Sequence, residues 1–113
     1  MSECIFCRIA AGEIPADVVA SDDEFVAFRD LHPLAEVHVL VVPRQHLTSL
    51  VEIGQLPLET AGAMLRFAAE VARAEGLDES GYRLVANTGS DAGQEIFHLH
   101  WHIIGGEPLG GMA

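Results

Sequence analysis

Three histidines alternate with apolar residues near the end of this 113-residue chain: His98, His100 and His102 are separated by Leu99 and Trp101. A period of two is typical of a β-strand, so we expect all three imidazoles on one face, roughly 6–7 Å from neighbour to neighbour. Imidazole acts as a nucleophile, a general base or a metal ligand near neutral pH. The alternative is a solvated strand face that is rich in histidine.

Charge and composition exclude several classes of protein. The chain has 17 acidic residues, six arginines and no lysine, for a formal net charge of −11. This charge repels nucleic-acid polymers, and without lysine there is no Schiff-base or P-loop chemistry. No apolar stretch is long enough to span a membrane, and no secretory signal is evident, so we expect a cytoplasmic protein. Half of the residues are hydrophobic, which predicts a single globular domain over residues 1–113.

Two cysteines, Cys4 and Cys7, are the other residues with distinctive chemistry. On a short helical turn, a separation of three residues suits a disulfide poorly. It suits half of a zinc site, whose remaining ligands must come from elsewhere in the chain.

Hydrophobic periodicity predicts an α+β fold in which an antiparallel sheet of about five strands is covered by one main helix and one short N-terminal helix. Ser2 is a plausible N-cap for the short helix over residues 4–9, which Gly12 ends. The main helix is expected to begin at Pro57 and to end at Gly76. The predicted strands cover residues 18–20, 25–28, 37–42, 82–86 and 98–104, with a hairpin at residues 22–23 and a strand 37–42 that is buried on both faces apart from His38.

A glycine-rich turn over residues 87–94 immediately precedes the histidines. Glycines permit close approach of the backbone to a ligand, and successive N–H groups can bind an anion. A simple hairpin turn explains the glycines equally well, but next to three histidines the turn is a candidate phosphate site.

The chain resembles the histidine triad (HIT) family, and within it the Hint branch of histidine triad nucleotide-binding proteins. The resemblance covers nearly the whole chain. Besides the pattern at residues 98–104, it is carried by Ile5-Phe6, Glu13-Ile14-Pro15, Ala27-Phe28-Arg29-Asp30, residues 38–43, Gly89-Ser90-Asp91-Ala92-Gly93-Gln94 and Gly105-Gly106.

This resemblance implies a HIT-like fold and hydrolysis of nucleoside 5′-phosphoramidates without a catalytic cofactor. His100 would attack the α-phosphorus to form a nucleotidyl-histidine, which water then hydrolyses. His98 and His102 would orient His100 or contact phosphate oxygens, which the backbone of Gly93-Gln94 would hold. His38 would support the site from the neighbouring strand, although a hydrogen-bonded core histidine is an equal alternative.

The same resemblance assigns an AMP-like purine nucleotide to a set of binding residues, with Asp30 as the acceptor from the ribose hydroxyls. The base pocket would be lined by Phe6, Ile9, Ile14, Phe28 and Leu31, and the remaining nucleotide contacts would come from Asn87, Gly93, Gln94, Glu95, Ile96, His100 and His102. Two features depart from the family. Glu95 stands where several Hint proteins carry a small hydroxyl residue, and the tail at residues 108–113 lacks the tryptophan of animal members.

Three other functions remain open from the sequence. One is a dinucleoside polyphosphate hydrolase, and another is a non-catalytic module that binds a nucleotide or zinc. The third is a catalytic metal held by the three histidines. The resemblance also implies a homodimer in which two sheets join and the main helices pack across the two-fold axis.

A structural zinc ion is expected at Cys4, Cys7, His46 and His98, because several bacterial members of the resembling family use this set of ligands. His32 is the chief competitor for a ligand position. The alternative is a cysteine pair that packs as two small apolar side chains.

Overall fold

A five-stranded antiparallel sheet lies at the centre of the computed structural model, which describes residues 3–112. The strands are β1 (Val18–Ser21), β2 (Phe25–Arg29), β3 (Val37–Pro43), β4 (Tyr82–Val85) and β5 (Trp101–Gly105), in the spatial order β1-β2-β3-β5-β4. The helices are α1 (Ile5–Ala10) and α2 (Leu58–Ala74), with short 3-10 helices at Leu50–Gln55 and Ser90–Ala92. The predicted α+β architecture is confirmed.

Each face of the sheet is covered by a different helix. Val39 and Val41 of β3 belong to the larger core under α2. Leu40 points to the opposite face, where it pairs in register with Phe28 and packs in the smaller core with Phe6 of α1. Because residues that pair across neighbouring strands share a face, and because His102 pairs with Leu40, His102 lies on the α1 face.

The main helix follows its predicted pattern closely. Its buried side chains are Met64, Ala68, Val71 and Ala72. Pro57 is the N-cap rather than the first helical residue. The helix ends where Gly76 adopts a left-handed φ of +79°, and the N–H of Leu77 donates to the carbonyl of Ala72 at 3.0 Å.

The short helix begins later than expected. Ser2, the predicted N-cap, lies outside the described residues. Cys4 occupies the N-cap position, where its Sγ accepts the N–H of Cys7 at 3.4 Å. The helix ends at Ala10, and Gly12 then takes a positive φ of +77°. The predicted termination near Gly12 is therefore correct, but the capping group is a thiol.

The strand that carries the triad is shorter than predicted. Regular pairing with β3 begins at Trp101, because the preceding segment bonds to a loop instead: the N–H of Leu99 donates to the carbonyl of Leu47 at 2.7 Å. The prediction that His38 is the exception to the burial of β3 is also wrong, since this side chain is 4% exposed. A 3-10 helix at Leu50–Gln55 was not predicted, and β4 ends one residue early, at Val85.

The hairpin between β1 and β2 forms as expected. The carboxylate of Asp22 accepts the backbone N–H groups of Glu24 and Phe25, both at 2.8 Å, which closes the turn. Within residues 3–112, no helix has the length and apolarity needed to cross a membrane.

Candidate active site and metal cluster

Four potential metal ligands converge where α1 meets the sheet. The Sγ atoms of Cys4 and Cys7 and the Nδ1 atoms of His46 and His98 lie within 4.8 Å of one another. Cys4 and His98 are 3.3 Å apart, Cys7 and His46 are 3.3 Å apart, and the two histidine nitrogens are 3.2 Å apart. We call these four residues the metal cluster.

The spacing and the protonation pattern of the metal cluster fit zinc. Ligand atoms of a tetrahedral zinc ion with two sulfurs and two nitrogens lie about 3.3–3.8 Å apart, given Zn–S and Zn–N bonds of about 2.3 and 2.0 Å. The Nε2–H of His98 donates to the carbonyl of Pro43 at 2.8 Å, so its lone pair is on Nδ1, the atom that faces the sulfurs. Burial lowers the pKa of His98 to about 4, which keeps the ring neutral at pH 7.

His32, the competing zinc ligand, lies elsewhere. Its backbone N–H donates to the carboxylate of Asp30 at 2.8 Å, and it lines a cavity rather than the metal cluster.

The other triad histidines form a second group with His38, which we call the catalytic cluster after its predicted role: His38, His100 and His102. The Nδ1–H of His100 donates to the backbone carbonyl of His98 at 2.6 Å. A carbonyl only accepts, so the lone pair of the neutral ring is on Nε2. His100 therefore has a nucleophilic nitrogen next to the ring of His102, whose centroid is 5.0 Å away.

A chain of hydrogen bonds fixes the opposite polarity in His102. The N–H of Leu34 donates to Nδ1 of His38 at 3.1 Å, so the proton of neutral His38 is on Nε2. That Nε2–H donates to Nδ1 of His102 at 2.9 Å. The proton of His102 is consequently on Nε2, and His102 can offer an N–H donor to an anionic ligand.

Burial keeps His38 and His102 uncharged at pH 7. It lowers the pKa of His102 to about 4, helped by the neighbouring His100 and His38. Burial also lowers the pKa of His38, and the carboxylate of Asp30 opposes this shift in part. The 3.6 Å separation between Asp30 and Nε2 of His38 is thus a polar contact with a neutral ring at pH 7.

This protonation pattern argues against a catalytic metal. Asp30, His38 and His102 lie close enough to hold one. However, Nε2 of His38 carries the proton required by the hydrogen bond from Leu34, so no lone pair is available there. Among the described residues, no group of clustered metal ligands contains all three triad histidines.

Two adjoining cavities open beside the catalytic cluster. The smaller, of about 120 Å³, is lined by Asn87, Gly93, Gln94, His100 and His102. The larger, of about 290 Å³, is mostly apolar and is lined by Ile5, Phe6, Ile9, Ile14, Pro15, Ala16, Asp17, Phe28, Arg29, Asp30, Leu31, His32, Leu40, Glu95 and Ile96. Phe6, Asp30, Leu40, Glu95 and Ile96 line both. Their sizes and polarity suit an apolar planar ring joined to a small anionic group.

Hydrogen bonds that fix the glycine-rich turn occupy the groups predicted to hold phosphate. The side chain of Gln94 is buried: its Oε1 accepts the N–H of Gly89 at 2.8 Å, and its Nε2 donates to the carbonyl of Thr48 at 2.7 Å. The backbone N–H groups of Gly93 and Gln94 donate to Ser90 and Gly89 within the turn. These two N–H groups are therefore not free to hold phosphate oxygens in this conformation, and Gln94 acts as a clamp on the turn.

Residues 11–109 match the HIT domain family. The chain belongs to the HIT family. It is 42% identical over 110 residues to the purine nucleoside phosphoramidase of Escherichia coli K12, a match that covers 97% of this chain and 92% of that protein. It is 45% identical over 105 residues to protein HitA of Neisseria gonorrhoeae, a match that covers 93% and 97% of the two chains.

Solved structures of HIT proteins share the fold. A HIT family hydrolase from Clostridium thermocellum has a TM-score of 0.92 at 37% identity, and the match covers 99% of this chain and 97% of that one. A histidine triad protein from Clostridium difficile has a TM-score of 0.90 at 41% identity, and the match covers 100% and 98% of the two chains.

All the residues predicted to bind nucleotide line one of the two cavities of this HIT protein. Their binding of a nucleotide remains a prediction. Leu40, Asp17 and Arg29 also line the larger cavity and were not predicted. Leu40 was detectable, since it alternates with His38 on the same face. A further cavity, of about 610 Å³, lies at the far end of β5 and contains no histidine.

Proposed function

We propose that this HIT protein hydrolyses purine nucleoside 5′-phosphoramidates through a covalent nucleotidyl-histidine. The main supporting observation is the 2.6 Å hydrogen bond from Nδ1–H of His100 to the carbonyl of His98. This bond leaves a lone pair on Nε2 of His100, a residue that lines the smaller cavity. The name of the Escherichia coli relative, purine nucleoside phosphoramidase, supports the choice of substrate.

The reaction has two displacements at the α-phosphorus. First, Nε2 of His100 forms a bond to phosphorus while the phosphoramidate P–N bond breaks, and the departing amine takes up a proton from solvent. Next, water adds its oxygen to phosphorus, the bond to His100 breaks with its electron pair returning to Nε2, and one proton is released. The Nε2–H of His102 donates to a phosphate oxygen and stabilises the charge that develops there.

The larger cavity would hold the nucleoside. Its apolar side chains, including Phe6 and Ile9, provide surfaces for a purine ring. Asp30 uses Oδ1 to accept the N–H of His32, and its remaining lone pairs can accept the ribose hydroxyls.

Electrostatics favour an amine as the leaving group over a polyphosphate. The residues that line the cavities include three acids, Asp17, Asp30 and Glu95. The single arginine among them, Arg29, already bonds to Glu75 at 2.7 Å and lies 3.4 Å from Asp17. A long anionic leaving group would therefore meet uncompensated negative charge.

The test is turnover of adenosine 5′-phosphoramidate by the wild type and by His100→Ala, with AMP binding by the variant as a control for its fold. We expect no detectable turnover in the variant and a trapped adenylyl-histidine in the wild type. Wild-type kcat/KM in His100→Ala would overturn the mechanism. Faster hydrolysis of diadenosine polyphosphates would favour the other hydrolase, and AMP binding without hydrolysis of any substrate would indicate a binding module.

We also propose that Cys4, Cys7, His46 and His98 hold a structural zinc ion. The ion would tie α1 to the sheet and supply no chemistry to the hydrolysis. Thiolate ligands require a reducing compartment, which agrees with a cytoplasmic location. Metal analysis of freshly purified protein should give one zinc per chain, and full zinc in a Cys4→Ser/Cys7→Ser variant would rule the site out.

A homodimer is the third part of the proposal. β4 is an edge strand whose unpaired side can extend the sheet. On α2, Leu65 is 49% exposed although it lies in the apolar pattern of the helix. Light scattering at micromolar concentration should give twice the 12.1 kDa mass of one chain, and a monomer mass would contradict the proposal.

A further inference from the structure

We infer that the metal cluster sets the affinity of the nucleotide cavity, because Cys4 and Cys7 hold α1 in place as a wall of that cavity. The inference rests on the zinc site and the nucleotide site proposed above. It makes the two cysteines positioning residues for substrate binding, although neither lines the cavities.

Helix α1 is shared between the two sites. Cys4 and Cys7 bracket Phe6, whose ring lies edge-on to His100 with centroids 5.1 Å apart and edge-on to Phe28 at 5.4 Å. Phe6 and Ile9 line the larger cavity. A helix of six residues is too short to be stable by itself, so its position depends on what its side chains contact.

A second connection runs through the loop that carries His46. Two residues later, the carbonyl of Thr48 accepts Nε2–H of Gln94 at 2.7 Å. Gln94 in turn clamps the glycine-rich turn, which lines the smaller cavity. The metal cluster thus joins α1 to the loop that holds this turn, and α1 and the turn are both walls of the proposed nucleotide site.

The chemical step depends less on the metal cluster. The ring of His98 is also held by Pro43, and Leu99 is held by the carbonyl of Leu47 at 2.7 Å. These bonds keep in place the His98 carbonyl that orients His100. The donor role of His102 is set by His38, which lies on β3. Loss of zinc should therefore raise KM much more than it lowers kcat.

Calorimetric titration with AMP tests the coupling directly. We expect AMP to bind about tenfold more weakly to zinc-depleted protein than to zinc-loaded protein, within the usual range of coupling between two sites. Because coupling is reciprocal, saturating AMP should raise the zinc affinity by the same factor, as measured by competition with a chromophoric chelator. Amide exchange over residues 5–10 should be faster in the depleted protein.

Two variants complete the design. Cys4→Ser/Cys7→Ser should reproduce the weak AMP binding, and zinc should not restore it. Glu13→Gln is the matched control, since it removes the exposed 3.5 Å ion pair with Arg8 at the same helix but leaves the cluster intact. It should keep wild-type affinity and coupling. If depleted protein unfolds, the exposed ligand is changed instead: in folded His46→Ala, AMP affinity should rise as zinc is added.

The outcomes separate the proposals. AMP affinity that is equal within twofold at all zinc occupancies overturns the coupling alone. Failure of zinc-loaded protein to bind AMP overturns the nucleotide site, and failure to bind one zinc per chain overturns the zinc site. A fall in kcat with unchanged KM on depletion would also contradict the inference, since it would place the effect of zinc on the chemical step.

Discussion

His98 in the metal cluster presents a lone pair, whereas His102 in the catalytic cluster presents an N–H. In the metal cluster the lone pair of His98 points at two sulfurs, because its other nitrogen donates to the carbonyl of Pro43. In the catalytic cluster His102 presents an N–H, because its other nitrogen accepts from His38. Both rings carry their proton on Nε2, but the backbone carbonyl of Pro43 places it there in His98, whereas the side chain of His38 places it there in His102.

A hydrogen-bond partner at one ring nitrogen selects the chemistry of a neutral histidine, because it decides which nitrogen carries the proton. A carbonyl partner leaves a lone pair free, as in His98 and His100. A backbone N–H partner, as in Leu34 with His38, places the proton on the other nitrogen and passes a donor along to the next ring. The proposed nucleophile, zinc ligand and anion donor are thus all histidines.

The strongest effect is expected when one histidine of each cluster is replaced in turn. His100→Ala should lower kcat for adenosine 5′-phosphoramidate by on the order of 10⁴ and leave the zinc content at one per chain. His98→Ala should lose the zinc and retain far more of kcat, since its backbone carbonyl still holds His100. Kinetics and metal analysis on the same preparations check both. Equal losses of kcat would mean that the clusters do not have separate roles.

A smaller effect is expected on stability. His46 is the exposed ligand of the metal cluster, so His46→Ala should weaken zinc binding without opening a large core cavity. A hundredfold loss of zinc affinity would lower Tm by roughly 10 °C when free zinc exceeds the dissociation constants of both proteins. Thermal unfolding with and without added zinc measures this. His32→Ala is the matched control at an exposed histidine outside the cluster, and a similar fall in its Tm would contradict the prediction.

The sequence predicts which residues belong to the two clusters better than it predicts the role of each residue. The alternation at residues 98–102 and the Cys-x-x-Cys spacing are visible in the chain. However, the partners that fix each proton, Pro43 and Leu34, approach the histidines only after folding. The triad spacing together with the family resemblance therefore places His98 both in catalysis and in a metal site, whereas in the structure its two nitrogens face Pro43 and the metal cluster.

The other differences between the predicted and the observed site also arise because contacts between distant residues are not visible in the sequence. Phe6 and Phe28 have the periodicity of core residues, and periodicity does not distinguish a core from the wall of a cavity. Gln94 follows glycines and is predicted to contact a ligand. In the structure its side-chain amide is hydrogen-bonded to Gly89 and to Thr48, a residue 46 positions away. The start of β5 is predicted too early for the same reason, because the bond from Leu99 to a distant loop is not visible in the sequence.

The pH dependence of stability tests whether His102 is neutral in the folded protein. The pKa of His102 is about 4 in the folded protein, against the ordinary histidine value of 6.5, so the unfolded chain binds this proton more readily. Its contribution to stability is present above pH 6.5 and is lost as the pH falls towards 4. Between pH 7 and 5 this costs at most about 2 kcal/mol. In His102→Gln the loss over this range should be smaller, as measured by urea unfolding of both proteins. Identical pH profiles would show that His102 is not buried and neutral.

The weakest effect is expected from removing the hydrogen bond that keeps the proton of His102 on Nε2. In His38→Leu no group donates to Nδ1 of His102, so its proton is no longer fixed on Nε2, and kcat should fall about tenfold, as for the loss of one hydrogen bond of about 1.4 kcal/mol. His38→Asn keeps an N–H donor of similar reach and should recover part of that loss. KM should change little in either variant, because His38 lines neither cavity. Steady-state kinetics at pH 7 on the three proteins decides the matter: kcat values that are equal in the leucine and asparagine variants would show that His38 acts by packing rather than by orienting the proton of His102.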